Sequence, residues 1–313
     1  MRHLLTFSAL LFASPLCAAE PPVTALCFDP DGKSLITASQ AGLSIRNWPD
    51  FKVVAKADSF QTSLANIRDL AFSPDGKHLA VAGGTPAEEG IVEVFSWPNG
   101  KRLSEFKGHS DSVSGVAWID DDSLAAASLD HEVSVWDLSK DEPRRKLKGH
   151  SRGVTTVAVV RQQEKVTLVT AGLDQNLRVW ELATGRQIRS LKNHTREVHQ
   201  LAVRPATEGL PMVASISRDH TVRLWQPTIG RMVRFARLES PPLAVAWLPD
   251  GSLVAVTSAD GAVRLVDPDT AKVVRKLPAL GGWAYSLAAH PKDGSLAVGG
   301  RNGALKRAFA SDQ

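Results

Sequence analysis

One nine-residue pattern returns along most of this chain. It reads SLDHEVSVW at 128–136, GLDQNLRVW at 172–180, SRDHTVRLW at 217–225, SADGAVRLV at 258–266 and GRNGALKRA at 300–308. Its third position is Asp130, Asp174, Asp219, Asp260 and then Asn302, so successive copies lie 44, 45, 41 and 42 residues apart. A period of that length marks stacked structural units. It also bears on the adjacent Asp219 and His220, which in isolation suit a catalytic dyad, a metal-ligand pair or a turn. A dyad has no reason to recur at a fixed interval. A turn has.

A second pattern precedes the first within its units: FDPDGKSL from Phe28, FSPDGKHL from Phe72, WIDDDSL from Trp118, WLPDGSL from Trp247 and AHPKDGSL from Ala289. Pro presets φ and Gly accepts positive φ, so Pro followed by Asp-Gly suits a tight turn. Apolar residues alternate on both sides of it, as in LAVAW at 243–247 and LVAVTS at 253–258, and two further runs follow, AVRLV and KVVRKL. Each unit therefore reads as four short antiparallel strands. Seven units start near Val23, Ile67, Val113, Val154, Val198, Leu243 and Tyr285. A lone sheet of this size cannot bury both faces. Seven stacked radially bury one another. The expected fold is all-β, a seven-bladed β-propeller of four-stranded antiparallel blades filling residues 20–313 as one domain. Only FASDQ follows the third strand of unit seven, so the last blade is expected to have three strands. Ring closure is then expected to rest on packing around Leu287 and Leu26.

Residues 1–19, MRHLLTFSALLFASPLCAA, read as a signal peptide. Arg2 and His3 precede an apolar run at 4–13, and Cys17, Ala18 and Ala19 suit cleavage after Ala19. The run is too short to span a bilayer, so the expectation is an exported protein, periplasmic or secreted, without a membrane span. Cys27 then has no partner, and among apolar neighbours it reads as a small core residue. The formal charge of +4 becomes +3 without Arg2. With no Lys/Arg run, the chain lacks the basic stripe that nucleic-acid binding needs.

At these motifs the chain resembles the WD-repeat family of β-propellers, as an exported bacterial member. The likeness rests on the Asp-to-Trp spacing, on Gly-His at 108–109 and 149–150, and on Trp-Asp at 136–137. The resemblance implies a structural hydrogen-bond set in each blade: a His before it, a hydroxyl on its second strand, the turn Asp and the third-strand Trp. Unit four matches with His150, Thr170, Asp174 and Trp180, and unit five with His194, Ser215, Asp219 and Trp225. Unit three has His109, Asp130 and Trp136, but Ala126 where the hydroxyl belongs. Chemically the set is sensible, because a buried carboxylate needs donors. Units one, two, six and seven depart from the pattern: Gly42 replaces the Asp if Trp48 is the anchor, Phe95 or Trp97 holds it in unit two, and Val266 and Ala308 replace it later. Those blades are expected to rely on packing.

No catalytic constellation emerges. Residues 149–153, GHSRG, spell Gly-x-Ser-x-Gly, but they fall in the repeated Gly-His connection with no helix expected after them, so there is no nucleophile elbow. Nor is there a His-x-x-x-His or a Cys-x-x-Cys-His. The three carboxylates at 120–122 could suit calcium, but they occupy the place of the Pro-Asp-Gly turn. No cofactor or metal is expected. The connections between units place Arg152, Arg196, Arg218, Trp283, Tyr285 and Arg301 around one mouth of the channel, and Arg, Trp and Tyr are the types that anchor interfaces. The expected function is a monomeric, non-enzymatic scaffold that binds protein partners through this loop face. The rivals are an exported propeller enzyme, lactonase-like or quinoprotein-like, and a binder of small ligands or cell-wall polymer.

Overall fold

A computed structural model describes residues 20–54, 60–205 and 209–310. The expected signal peptide at 1–19 lies outside the described residues. Blade four shows the unit whole, with strands Val154–Gln162, Lys165–Gly172, Leu177–Glu181 and Gln187–Leu191, each pairing antiparallel with the next. The inner strands of the other blades are Ala25–Phe28, Ile67–Phe72, Val113–Trp118, Val198–Val203, Pro242–Trp247 and Ala284–Ala289. All begin within two residues of the positions read from the repeat. Second strands such as Ser123–Ser128 and Val254–Ser258 are buried along their whole length. Outer strands such as Val273–Pro278 are mostly exposed. A strand flanked by other blades on both faces must be apolar or small throughout, which explains LAAAS in blade three.

The repeated Asp makes its turn by capping it. Asp130, Asp174, Asp219 and Asp260 each accept the amide of the residue two further on, at 3.0–3.2 Å. The residue between takes a left-handed conformation: His131, Gln175, His220 and Gly261 have φ between 65° and 78°. His220 is thus a turn residue, and the side chain that meets Asp219 is His194.

Seven apolar clusters lie in the seven seams between successive blades. The third-strand Trp of blades three, four and five faces the blade before it: Trp136 packs with Val92, Val94 and Phe106, Trp180 with Val133, Val135 and Leu147, and Trp225 with Val179 and Leu191. Polar stitches reinforce the inner ends. Thr24, Ser114 and Thr155 each donate a hydroxyl to a carbonyl of the next inner strand, Ile67, Val154 and Val198. Trp118 and Trp247 donate their indole N–H groups backwards to Ala71 and Ala202.

Blade seven has three strands, Ala284–Ala289, Leu296–Gly300 and Leu305–Ala308, with the 3-10 turn Arg301–Gly303 between the last two. Blade one, expected to have four, has three strands and a single bridge from Arg46 to Val53 among the described residues. Leu26 packs against blade seven, beside Ala288, Ala297 and Leu305. Leu287 does not: it faces the other way, into the seam with blade six. Successive residues of a strand point to opposite faces, so Ala288 is the one that meets blade one.

Candidate partner-binding face

In blade four, His150 Nδ1 lies 3.0 Å from both Asp174 oxygens, Nε2 lies 2.8 Å from Thr170 Oγ1, and Trp180 donates its Nε1–H to the same hydroxyl at 2.9 Å. Blade five repeats this with His194, Asp219, Ser215 and Trp225 at 2.7–2.8 Å. A carboxylate only accepts, so Nδ1 carries the proton, and the hydroxyl then donates to the Nε2 lone pair. Burial acts to raise the Asp174 and Asp219 carboxyls. The His N–H outweighs it, helped by backbone amides, and holds both well below the usual range. Burial pushes His194 down, against the pull of Asp219. The set is neutral imidazole on carboxylate, tied into a core. It faces no open space and reads as scaffold.

Blade three keeps the His109–Asp130 bond at 2.8 Å. Its Ala126 leaves His109 Nε2 and Trp136 Nε1 buried with no partner, and Ser134 Oγ likewise. The departing blades do not rely on packing alone. In blade six the buried Arg264 forks onto Asp260, at 3.0 and 2.7 Å. In blade two Phe95 takes the anchor position, opposite Leu79, while the buried Glu93 accepts Thr62, Ser63 and Arg102. In blade one the register puts Arg46, rather than Trp48, in the anchor place, and its Nε–H reaches Thr37 Oγ1 as an indole would.

The mouth is built by a second repeated contact. The amides of Gly84, Leu129, Leu173, Arg218, Ala259 and Arg301 each bond, at 2.9–3.3 Å, to a carbonyl just ahead of their blade's inner strand. These residues form one ring at the Asp-turn end. Leu129 and Leu173 line a cavity of about 540 Å³ at the mouth, and the same ring position puts Arg218 and Arg301 beside it. Arg152 and Arg196 occupy equivalent places in the connections into blades four and five, both exposed. Trp283 is 53% exposed and packs edgewise on Tyr285, their ring centroids 5.7 Å apart. Tyr285 lies in the throat below, a cavity of about 150 Å³ lined by all seven blades.

Two throat residues escape a reading of the loops: Arg68 and His199. Both sit second in their inner strands, where the pairing register shifts, as it does in every blade from two to seven. The visible signal was a column of non-aliphatic residues at that place, Thr24, Arg68, Ser114, Thr155 and His199. Beside them Asp69 accepts the amides of Val116 and Leu70, both at 2.9 Å. Burial nevertheless pushes its carboxyl up to about 6. The carboxylates at 120–122 are spent on turns: Asp120 caps Asp122 and Ser123, and Asp121 accepts the Asp75 amide. No group of three His, Cys, Asp or Glu side chains arranged to hold a metal occurs among the described residues, nor any helix long and apolar enough to cross a membrane.

The family model described as WD domain, G-beta repeat matches residues 16–48, 57–95, 100–137, 141–181, 185–226 and 237–267. Among curated proteins, the chain is 31% identical over 127 residues to the UBP9-binding protein bun62 of Schizosaccharomyces pombe, covering 39% of this chain and 22% of that one. It is 32% identical over 127 residues to guanine nucleotide-binding protein subunit beta-like protein 1 of Mus musculus, covering 40% and 37%. A WD repeat-containing protein of Synechocystis is 31% identical over 118 residues, covering 37% and 32%. The matched part thus spans well under half of each relative's length.

Proposed function

Because this chain belongs to the WD40 repeat family, whose members generally serve as scaffolds for protein interaction, we propose that it is an exported, non-enzymatic scaffold that holds a protein partner on the mouth of its channel. The observation that carries the reading is Trp283, an indole 53% exposed at the mouth with Tyr285 against it. Large aromatics are normally buried, and an exposed one beside arginines is the composition of an interface anchor. The His–Asp sets, which in another setting would suggest catalysis, are closed into the scaffold by their third and fourth partners. Fold likeness alone does not establish function, so the test is the face itself. Affinity capture from the exported fraction is compared between the wild type and a Trp283→Ala, Arg218→Ala double variant. Capture is expected to weaken while the melting temperature stays nearly unchanged. Undiminished capture, or loss of folding, overturns the proposal.

Export rests on the leader-like composition of residues 1–19. N-terminal sequencing of protein expressed with these residues is expected to begin at Glu20, in the exported fraction. An intact Met1 in the cytoplasm overturns it.

A further inference from the structure

Arginines elsewhere in the molecule lean on their own chain. Arg178 and Arg223 reach the Asp174 and Asp219 carboxylates, Arg264 forks onto Asp260, and Arg204 lies over Trp247. Five at the mouth do not: among the described residues, the side chains of Arg68, Arg152, Arg196, Arg218 and Arg301 make no ion pair or hydrogen bond. All five are exposed. They come from blades two, four, five and seven, so they are spread around the mouth, and Arg68 lines the 540 Å³ cavity itself.

Most carboxylates on the same face are engaged elsewhere: Asp130, Asp174, Asp219 and Asp260 cap their turns, and Glu239 lies within ion-pair distance of Lys276 and Arg264. Asp111 is held by the amides of Ala87 and Ser112. Glu197 has one oxygen buried without a partner. Glu20 lies against Gly303, and Asp69 is sunk in the throat on two amides. None of these is within ion-pair reach of the five guanidiniums. The mouth thus presents unneutralised, bidentate-capable cations next to an exposed indole.

We propose that the partner enters this mouth with an acidic stretch of its chain, its Asp and Glu carboxylates taking the guanidiniums of Arg68, Arg152, Arg196, Arg218 and Arg301 while an apolar side chain lies on Trp283. The inference rests on the mouth being the partner-binding face and adds the partner's chemistry. Guanidinium forks match carboxylates geometrically, and their weak hydration lets them be covered at an interface. Asp111 and Glu197 interrupt the positive charge at the rim, so a phosphate backbone finds no continuous stripe to follow. A single extended peptide can set its carboxylates between them. Asp69 in turn limits depth, since a carboxylate pushed into the throat meets another one. The acidic residues belong at the rim.

The test uses the full chain and a fluorescein-labelled peptide of alternating Glu and Leu, read by anisotropy. Matched controls are a Lys-Leu peptide and a labelled single-stranded oligothymidylate. The Glu-Leu peptide alone is expected to bind, with affinity that falls as salt rises. Reversing Arg152 and Arg218 together to Glu is expected to weaken it by about tenfold or more. Reversing Arg231 and Arg234 to Glu, on the exposed outer strand of blade five, is expected to change nothing. Absence of peptide binding, equal loss from the outer-strand reversal, or tighter binding of the Lys-Leu peptide or the oligothymidylate each overturns the proposal. If the Trp283 and Arg218 variant still loses its partner while the acidic peptide fails to bind, the mouth stands as the binding face and only its charge preference falls.

Discussion

Ala126 shows how much one side-chain oxygen does in this scaffold. In blade four Thr170 Oγ1 serves both His150 and Trp180, and in blade five Ser215 Oγ serves His194 and Trp225. With Ala126 the same two nitrogens are buried and unserved, each at a cost of about 1–3 kcal/mol. Ala126→Ser is therefore expected to raise stability by roughly 1 kcal/mol, read from the denaturant midpoint; a lower midpoint means the hydroxyl has no room. In the complete set of blade four the direction reverses. Trp180→Ala opens a cavity and is expected to lose about 3–5 kcal/mol, and Asp174→Ala strands the His150 N–H for about 1–3 kcal/mol. Full thermal stability of Asp174→Ala would contradict the scaffold reading. At this scale the sequence showed the sets whose four residue types recur in place. It did not show the substitutes, because Arg264 and Glu93 act from two residues before the anchor place and Arg46 fills that place with a different residue type, and only the strand register reveals this.

Elements are stitched to their neighbours at the inner strands, and one position there is chemically odd. Thr156 Oγ1 and Gln200 Oε1 accept an amide of the next blade, Leu201 and Val245; Asp69 does so for Val116 with a charge. Its carboxyl is raised from 3.8 to about 6 by burial, so the folded protein binds that proton more tightly than the unfolded chain. Stability from this site is full below about pH 4 and declines as pH rises through 6. The shift is worth at most roughly 3 kcal/mol, and its opening toward the channel trims that to about 1–2 kcal/mol. Asp69→Thr borrows the residue that blade four uses. It is expected to match the wild type near pH 4 and exceed it at pH 8, in thermal unfolding at both. A difference independent of pH, or of opposite sign, counts against burial as the cause. Strand alternation made these elements legible, including the inner-strand starts. The register shift at their second residue left only a column of non-aliphatic residues from Thr24 to His199, which alternation alone does not read as a bulge, and with it Arg68 and His199 escaped the site.

Across the whole ring the seven seams are unequal. Six hold ten to twelve buried apolar residues each among the described residues, and the seam between blades seven and one holds five: Val23, Leu26, Phe28, Leu35 and Ala297. Blade seven contributes mostly Ala there, so little apolar area is lost if the two blades part. Polar and aromatic contacts compensate. Val23 donates its amide to Gly300, Ser286 its hydroxyl to Val23, and His290 its Nε2–H to Gly32. Phe28 meets both Trp48 and His290 edgewise, at 4.8 and 5.1 Å, and Arg307 lies over Trp48 at 5.1 Å. A seam held by few apolar residues is where a closed ring opens first. Amide hydrogen exchange is therefore expected to proceed sooner in the inner strands Ala25–Phe28 and Ala284–Ala289 than in Val154–Gln162. Phe28→Ala removes the residue that joins the apolar patch to the aromatic one. It is expected to speed exchange in blades one and seven strongly while blades three and four stay protected. Uniform acceleration around the ring would instead mean that all seven blades open as one unit, and that closure is no weaker at the ends of the chain than anywhere else.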